Sequence, residues 1–237
     1  MPARLAAIVL ATLVSWTPEL GATLILAYRD GGEAVIAADS LRTVWTTPPV
    51  RVEACKILNF GDVVFAAAGD TTRPGDGFAI DSITASLHER KGVGAEPLEG
   101  RIARFDREAI ASFEKLHSQK RATRPITFTY ILGFVREGQS VVYSRVLKSA
   151  DGLAEIGERE MLSDGVVLVA GQPEVLNHLS GLRGPDRPGV AALLEAVIHH
   201  QAQRTPNKVG GPVDIIRLTA KGVGWEQRKL GCQEREQ

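Results

Sequence analysis

The chain has 237 residues, 44% of them apolar, and its 28 acidic side chains balance its 28 basic ones. That length and apolar share suit one sizeable globular domain with a large buried core. A net charge of zero gives no electrostatic reason to expect nucleic acid as a partner, and the mildly basic stretch 120–124 reads as a solvated loop.

Residues 1–22 read as a secretory signal peptide or a propeptide. Arg4 supplies a positive start, residues 5–16 are an apolar run too short to span a bilayer comfortably, and residues 17–22 break the helix and end in Gly21-Ala22. A cut after Ala22 leaves Leu20 where a small side chain is preferred, and makes Thr23 the first residue of a single mature domain, 23–237. Short apolar runs at 23–28 and 34–38 then flank Arg29-Asp30-Gly31-Gly32, a hairpin signal. Residues 46–49 read as a turn, and 54–60 with 62–68 as a second strand pair around Gly61-Asp62. The period then changes: Phe78, Ile80, Ile83 and Leu87 recur at helical spacing until Lys91-Gly92-Val93-Gly94. A second helix is predicted over 98–119, with Ile102, Phe105, Ile110, Phe113 and Leu116 on one face. Strands return at 126–135 and 140–147, joined by the four loop residues 136–139, and 166–170 is a fully apolar strand. Helices follow at 174–182 and 190–204, and 213–219 with 223–227 close the chain as a hairpin around Ala220-Lys221-Gly222.

Grouped hairpins and grouped helices imply an α+β fold with antiparallel sheets covered by helices, not alternating βαβ units. Two such halves suit a four-layer α-β-β-α sandwich. Cys55 and Cys232 make no disulfide framework and read as free thiols, a single bridge being the alternative. No metal or cofactor is expected: His199-His200 shares no ligand spacing with Glu or Cys, and HExxH and CxxC patterns are missing. Residues 71–77 contain glycine but lack a Lys-Ser/Thr ending, so they form no phosphate loop and read as a mobile turn beside the active-site cleft.

Thr23 carries the chemistry. A threonine becomes a nucleophile without a histidine when its own α-amino group, of pKa about 7.7–8, is free to take the hydroxyl proton. Asp39 follows sixteen positions on, in Ala37-Ala38-Asp39-Ser40, and Lys56 seventeen after that. This segment, with Leu41-Arg42-Thr43 after it, resembles the opening of proteasome β-type subunits and of the peptidase subunit of the bacterial two-component ATP-dependent protease. There a nucleophilic threonine starts the mature chain, an Ala-(Ala/Gly)-Asp follows with the same register, and a lysine comes another sixteen on, so Lys56 requires a one-residue insertion. Residues 64–69, an apolar strand running into Ala68-Gly69, continue the likeness, and the later element order to Gly210-Gly211 extends it over nearly all of 23–227.

The resemblance implies an N-terminal-nucleophile hydrolase of proteasome-subunit-like fold. Thr23 would attack a carbonyl, the Lys56 ammonium would favour the neutral amine and the developing oxyanion, and Asp39 would hold Lys56 charged. The Gly69 N–H would be the oxyanion donor, the Thr43 backbone would pair with an extended peptide, and Ala67, Ala54 and Thr71 would border the substrate. Two positions depart from the family's pattern: Ala170-Gly171-Gln172-Pro173 lacks its serine, and 204–211 lacks its Asp and Ser, with Thr205 or Asn207 as partial substitutes. The expectation is therefore a threonine-type peptidase or amidohydrolase acting on peptide or unfolded protein and assembled as a homo-oligomeric ring. The alternative is a catalytically inactive structural or interaction subunit. The leader argues for a periplasmic or secreted protein; the resemblance argues for the cytoplasm and an ATP-dependent partner.

Overall fold

The computed structural model of this chain describes residues 23–44, 50–69, 72–73, 78–79, 83–87, 96–118, 127–150, 153–175 and 189–232. The predicted leader, Thr71 and the basic stretch 120–124 lie outside the described residues. The first half contains β1 (Ile25–Asp30), β2 (Glu33–Ala38), β3 (Leu41–Val44), β4 (Val50–Glu53), β5 (Ile57–Asn59), β6 (Val63–Gly69), β7 (Thr72–Arg73), β8 (Phe78–Ala79) and helix α1 (Leu98–Ser118). The second contains β9 (Thr127–Arg136), β10 (Gln139–Ala150), β11 (Leu153–Ile156), β12 (Glu160–Met161), β13 (Val167–Ala170), helix α2 (Val190–Arg204), β14 (Asp214–Thr219) and β15 (Gly222–Gln227).

The strands make two main antiparallel sheets, one of five strands in the order β13-β1-β2-β14-β15 and one of six in which β11-β10-β9-β6-β5 run side by side and β12 pairs with β10. Period-two alternation divides the side chains of β1, β2, β6, β9, β10, β13 and β14 between two apolar clusters each. From β6, Val64, Ala66 and Ala68 join Ile25, Ala27, Ile36 and Ala38 of the other sheet. From the same strand, Val63, Phe65 and Ala67 join Ile102, Phe105, Ala109, Phe113 and Leu116 of α1. On the five-stranded sheet, Leu26, Val35, Ala37 and Ile215 pack with Leu194, Val197 and Ile198 of α2. A strand apolar on both sides reads as a continuous hydrophobic run, which is why β6 is Val-Val-Phe-Ala-Ala-Ala-Gly.

Several expectations shift. The predicted face of α1 holds except at Ile110, which is only half-buried; Ala109 takes its place in the stripe. The helix expected over Phe78–Leu87 does not form as one piece. Phe78 and Ala79 pair with Thr72 and Arg73, and among the described residues of that span helical structure is found at 83–87, where Ile83 and Leu87 are buried four apart. At the start of the helix predicted at 174–182 the chain forms a 3-10 turn, Pro173–Val175, and the rest of that span lies outside the described residues. Strand pairing also runs further into the turns than the turn residues suggest, reaching Asp30↔Glu33 and Arg136↔Gln139. Two residues, not four, thus connect each hairpin.

The free-thiol reading of the cysteines is overturned. Cys55 and Cys232 form a disulfide with Cα atoms 5.7 Å apart, across a sequence separation of 177. Cys232 is buried despite its polar surroundings in sequence, because residues 228–232 fold back against the segment before β5.

Candidate functional site

Thr23 and Leu24 lead into β1, and the hairpin register places Leu24 across from Asp39 at the end of β2. The pairing continues one step beyond the strands: the Asp39 N–H donates to the Leu24 carbonyl at 3.1 Å, and the Leu24 N–H donates to Asp39 Oδ1 at 2.8 Å. Two six-residue strands and a two-residue turn separate Leu24 from its partner Asp39, which puts Thr23, one residue earlier, sixteen positions from Asp39.

Asp39 is fully buried and is the hub of the site. Its Oδ1 also accepts from Lys56 Nζ at 2.5 Å, while Oδ2 accepts from the Leu41 and Gly210 N–H groups at 3.2 and 3.0 Å. Ser40 and Leu41 in turn donate to the Gly210 carbonyl, and the Ser40 hydroxyl donates to the Pro212 carbonyl. The loop before β14 is therefore wrapped around the Asp39-Ser40 turn. Burial pushes the Asp39 carboxyl up from its ordinary range, opposed by Lys56 and the backbone donors. Burial likewise lowers the Lys56 ammonium from 10.5 to about 8, with Asp39 holding it up and Arg42 and Lys229 pushing it further down. Removing one partner of such a buried pair leaves the other charge uncompensated, a cost on the order of 3–5 kcal/mol.

Thr23 is buried, and its backbone touches Gly171 just beyond β13. Gly171 has φ +103°, and a Cβ there would stand 1.9 Å from the Thr23 carbonyl oxygen and 3.7 Å from Ala68 Cβ. Thr23, Ala68 and Gly171 therefore converge, which brings Gly69 within one residue of the junction. Gly69 itself has φ +96°, and a Cβ there would lie 2.3 Å from the Thr127 carbonyl oxygen. Only glycine fits either position.

The structure thus joins Asp39 and Lys56 directly and sets both Thr23 and Gly69 at the same end of the sheets. Thr43 is half-buried on β3, its partner Arg51 lying on β4. Ala67 faces the apolar cluster beneath α1, apart from the Asp39–Lys56 pair, whereas the Ala54 carbonyl accepts from Lys229 Nζ at 2.5 Å. Of the two suggested substitutes, Thr205 turns its hydroxyl to the Gln201 carbonyl at 3.1 Å at the end of α2, and Asn207 is exposed. Gly210, Gly171 and Lys229 carry no chemical signature in sequence, yet each contacts the site's backbone. Among the described residues no group of three His, Cys, Asp or Glu side chains is arranged to hold a metal, and no helix is long and apolar enough to cross a membrane.

A second buried acid, Asp106 on α1, belongs to a different place. It accepts from the Tyr130 hydroxyl at 2.7 Å and pairs with Arg145 at 3.2 Å and Arg159 at 2.5 Å. Burial and the Asp106 charge push the Tyr130 and Tyr143 hydroxyls well above their ordinary value. This network ties α1 to β9 and β10.

No protein-family model matches the chain, and no curated protein does. Among solved structures it is similar to a Gly-1 mutant of Anbu from Hyphomicrobium sp. strain MC1, with TM-score 0.53 and 18% identity over 87% of this chain and 86% of that one. Anbu from the same strain in another crystal form aligns with TM-score 0.49 and 16% identity over the same shares. The first likeness shows a proteasome-like fold. It also corrects the family read from the motif: the likeness is to Anbu, where the sequence resemblance named proteasome β-type subunits and the two-component protease. The physical reason is that the Thr23-to-Asp39 register encodes a hairpin length. Such a hairpin belongs to the fold and does not single out one of its families.

Proposed function

We propose that the chain is a threonine-type N-terminal-nucleophile hydrolase, cleaving peptide or amide bonds through Thr23 after residues 1–22 are removed. The observation that carries this reading is the Asp39 carboxylate, one oxygen of which accepts both the Leu24 N–H and the Lys56 ammonium. A single buried anion thereby ties the residue after the candidate nucleophile to the one cation the chemistry requires.

With Thr23 first in the chain, its α-amine takes the hydroxyl proton as Oγ attacks the scissile carbonyl. The Lys56 ammonium favours the neutral amine, and the Gly69 N–H is the donor proposed for the tetrahedral oxyanion, worth roughly 3 kcal/mol. Collapse passes the proton to the leaving amine and leaves an ester on Thr23, which water then hydrolyses. Among the described residues β3 is paired only with β4, which supports addition of an extended substrate along its other edge near Thr43. Ala67 and Thr71 are the remaining substrate contacts of this reading.

The three apolar clusters support a four-layer α-β-β-α arrangement, with 23–237 as the single mature domain. The disulfide supports a periplasmic or secreted location, where such bonds persist. An exported enzyme would work without ATP on small or unfolded substrates, as the homo-oligomer we propose. One observation favours an inactive subunit instead: Ala170 and Gly171 offer no hydroxyl, and the Thr205 hydroxyl is committed to Gln201.

The mass of the mature protein separates the two readings. A chain starting at Thr23 is expected; one that keeps residues before Thr23 has no free threonine amine and sinks the enzyme reading. Thr23→Ala is expected to abolish turnover of small peptide amides at an unchanged melting temperature. Hydrolysis persisting in that variant would exclude Thr23 as the nucleophile.

A further inference from the structure

Lys56 lies between strands. β4 ends at Glu53 and β5 begins at Ile57, so Lys56 lies in the link 54–56 that joins them. The Ala54 N–H donates to the Ser40 carbonyl at 2.8 Å, which fixes one side of this link. The other side is gripped by the C-terminal segment 228–232. Lys229, itself buried, donates from Nζ to the Ala54 carbonyl at 2.5 Å, and Cys232 is bonded to Cys55, the residue directly before Lys56.

The gripping segment is anchored in its own right. The Lys229 N–H donates to Asp214 Oδ1 at 2.8 Å, at the start of β14. The Arg228 guanidinium lies 4.6 Å from the centre of the Trp225 ring and donates to the Cys232 carbonyl. Residues 228–232 are therefore a short braced turn, fixed to β14 and β15 at one end and to residues 54 and 55 at the other.

We infer that this turn is a positioning clamp for Lys56, with Lys229 and the Cys55–Cys232 disulfide as its two fasteners. The inference rests on the proposed role of Lys56 beside Thr23. A neutral hydrogen-bond donor would be enough to hold Ala54; a lysine there adds a positive charge near Lys56. Among the described residues, charged groups that act on Lys56 include Asp39 from just beyond β2, Arg42 from β3 and Lys229 from the clamp. Asp39 holds the proton on Lys56, while Arg42 and Lys229 loosen it. Clamped, Lys56 stays dry and close to Asp39. Unclamped, the link between β4 and β5 moves toward water, and Lys56 reverts toward the titration of an ordinary lysine.

The test is the titration of Lys56 Nζ, followed by NMR in protein with isotope-labelled lysine. The proteins compared are wild type, Lys229→Met, Lys229→Arg and the double variant Cys55→Ser/Cys232→Ser. Lys56 is expected to titrate at least about half a pH unit higher in Lys229→Met and in the serine pair, and at the wild-type value in Lys229→Arg. Amide exchange at residues 54–57 should accelerate about tenfold in the same two variants, with β6 unchanged. A Lys56 titration unchanged in Lys229→Met overturns the proposal, however much the melting temperature drops, because a plain staple would cost stability without touching Lys56. Should the serine pair fail to fold, Lys229→Met against Lys229→Arg decides alone. None of these readouts needs hydrolysis. A protein with no threonine-dependent turnover would therefore fail the enzyme reading while the clamp was still judged.

Discussion

Asp39 collects three backbone N–H groups and the Lys56 ammonium on two carboxylate oxygens, with almost no exposure to water. Burial brings Lys56 from 10.5 to about 8, and its pairing with Asp39 opposes that fall. On the proposed mechanism the α-amine of Thr23 must be neutral while Lys56 is still charged. The amine's ordinary pKa of about 7.7–8 is lowered by the nearby ammonium, which sets the acid limb of activity. Lys56 sheds its proton as pH rises through about 8, which sets the alkaline limb. A narrow bell in kcat is the expected result, falling on the alkaline side between pH 8 and 10. Lys56→Arg, whose charge does not titrate there, should lose the alkaline limb even if its maximal rate is lower. A wild-type rate that stays flat to pH 10 would show that the ammonium is not required.

The hairpin β1–β2 and strand β13 hold these residues at the end of the five-stranded sheet, with Ile25 paired to Ala38 on one side and to Ala170 on the other. Gly171 is where β13 leaves the sheet and the chain passes against the Thr23 carbonyl. Gly171→Ala must therefore separate β13 from β1 or displace Thr23. The expected cost is about 3 kcal/mol or more in urea unfolding, together with loss of activity. Gly31→Ala, in the β1–β2 turn with φ +58° and open space around the added carbon, is the matching control. Its expected cost is about 1–2 kcal/mol with activity retained. Equal costs at the two sites would mean that the close approach to Thr23 is not a constraint.

The sheets and helices leave one long-range covalent tie, the disulfide spanning 177 residues. Closing so large a loop restricts the unfolded chain strongly; the chain-entropy relation gives about 5 kcal/mol, and measured bridges usually deliver about 2–4. Cys55→Ser/Cys232→Ser should therefore lower the unfolding free energy by about 2–5 kcal/mol in denaturant titration. A loss below about 1 kcal/mol would mean that the noncovalent contacts of residues 228–232 already hold the tail in place. The Asp106 network, by contrast, is a noncovalent tie at the far side of the six-stranded sheet, where α1 meets β9 and β10.

Much of this was legible from local pattern. Alternating and helical periods found the hairpins, α1 and α2, since side-chain direction repeats every two or 3.6 residues whatever the surroundings. The Thr23-to-Asp39 spacing was readable for the same reason: a tight hairpin links distance along the chain to distance across it. Periodicity failed at Phe78, where a two-residue pairing with Thr72 and Arg73 outweighs a helical pattern, and at Ile110, which sits just off the buried stripe of α1. It was silent on everything that depends on segments far apart in sequence. The closure of Gly210 on Asp39, the approach of Gly171 to Thr23 and the joining of Cys55 to Cys232 all follow from how the two sheets and the C-terminal turn pack. Backbone amides, glycines and a lone lysine carry no pattern until packing brings them together. The linear chain therefore determined the hairpin that bears Thr23 and Asp39; packing alone decided what surrounds Lys56, because its proton affinity depends on burial and on charges contributed from β2, β3 and the C-terminal turn.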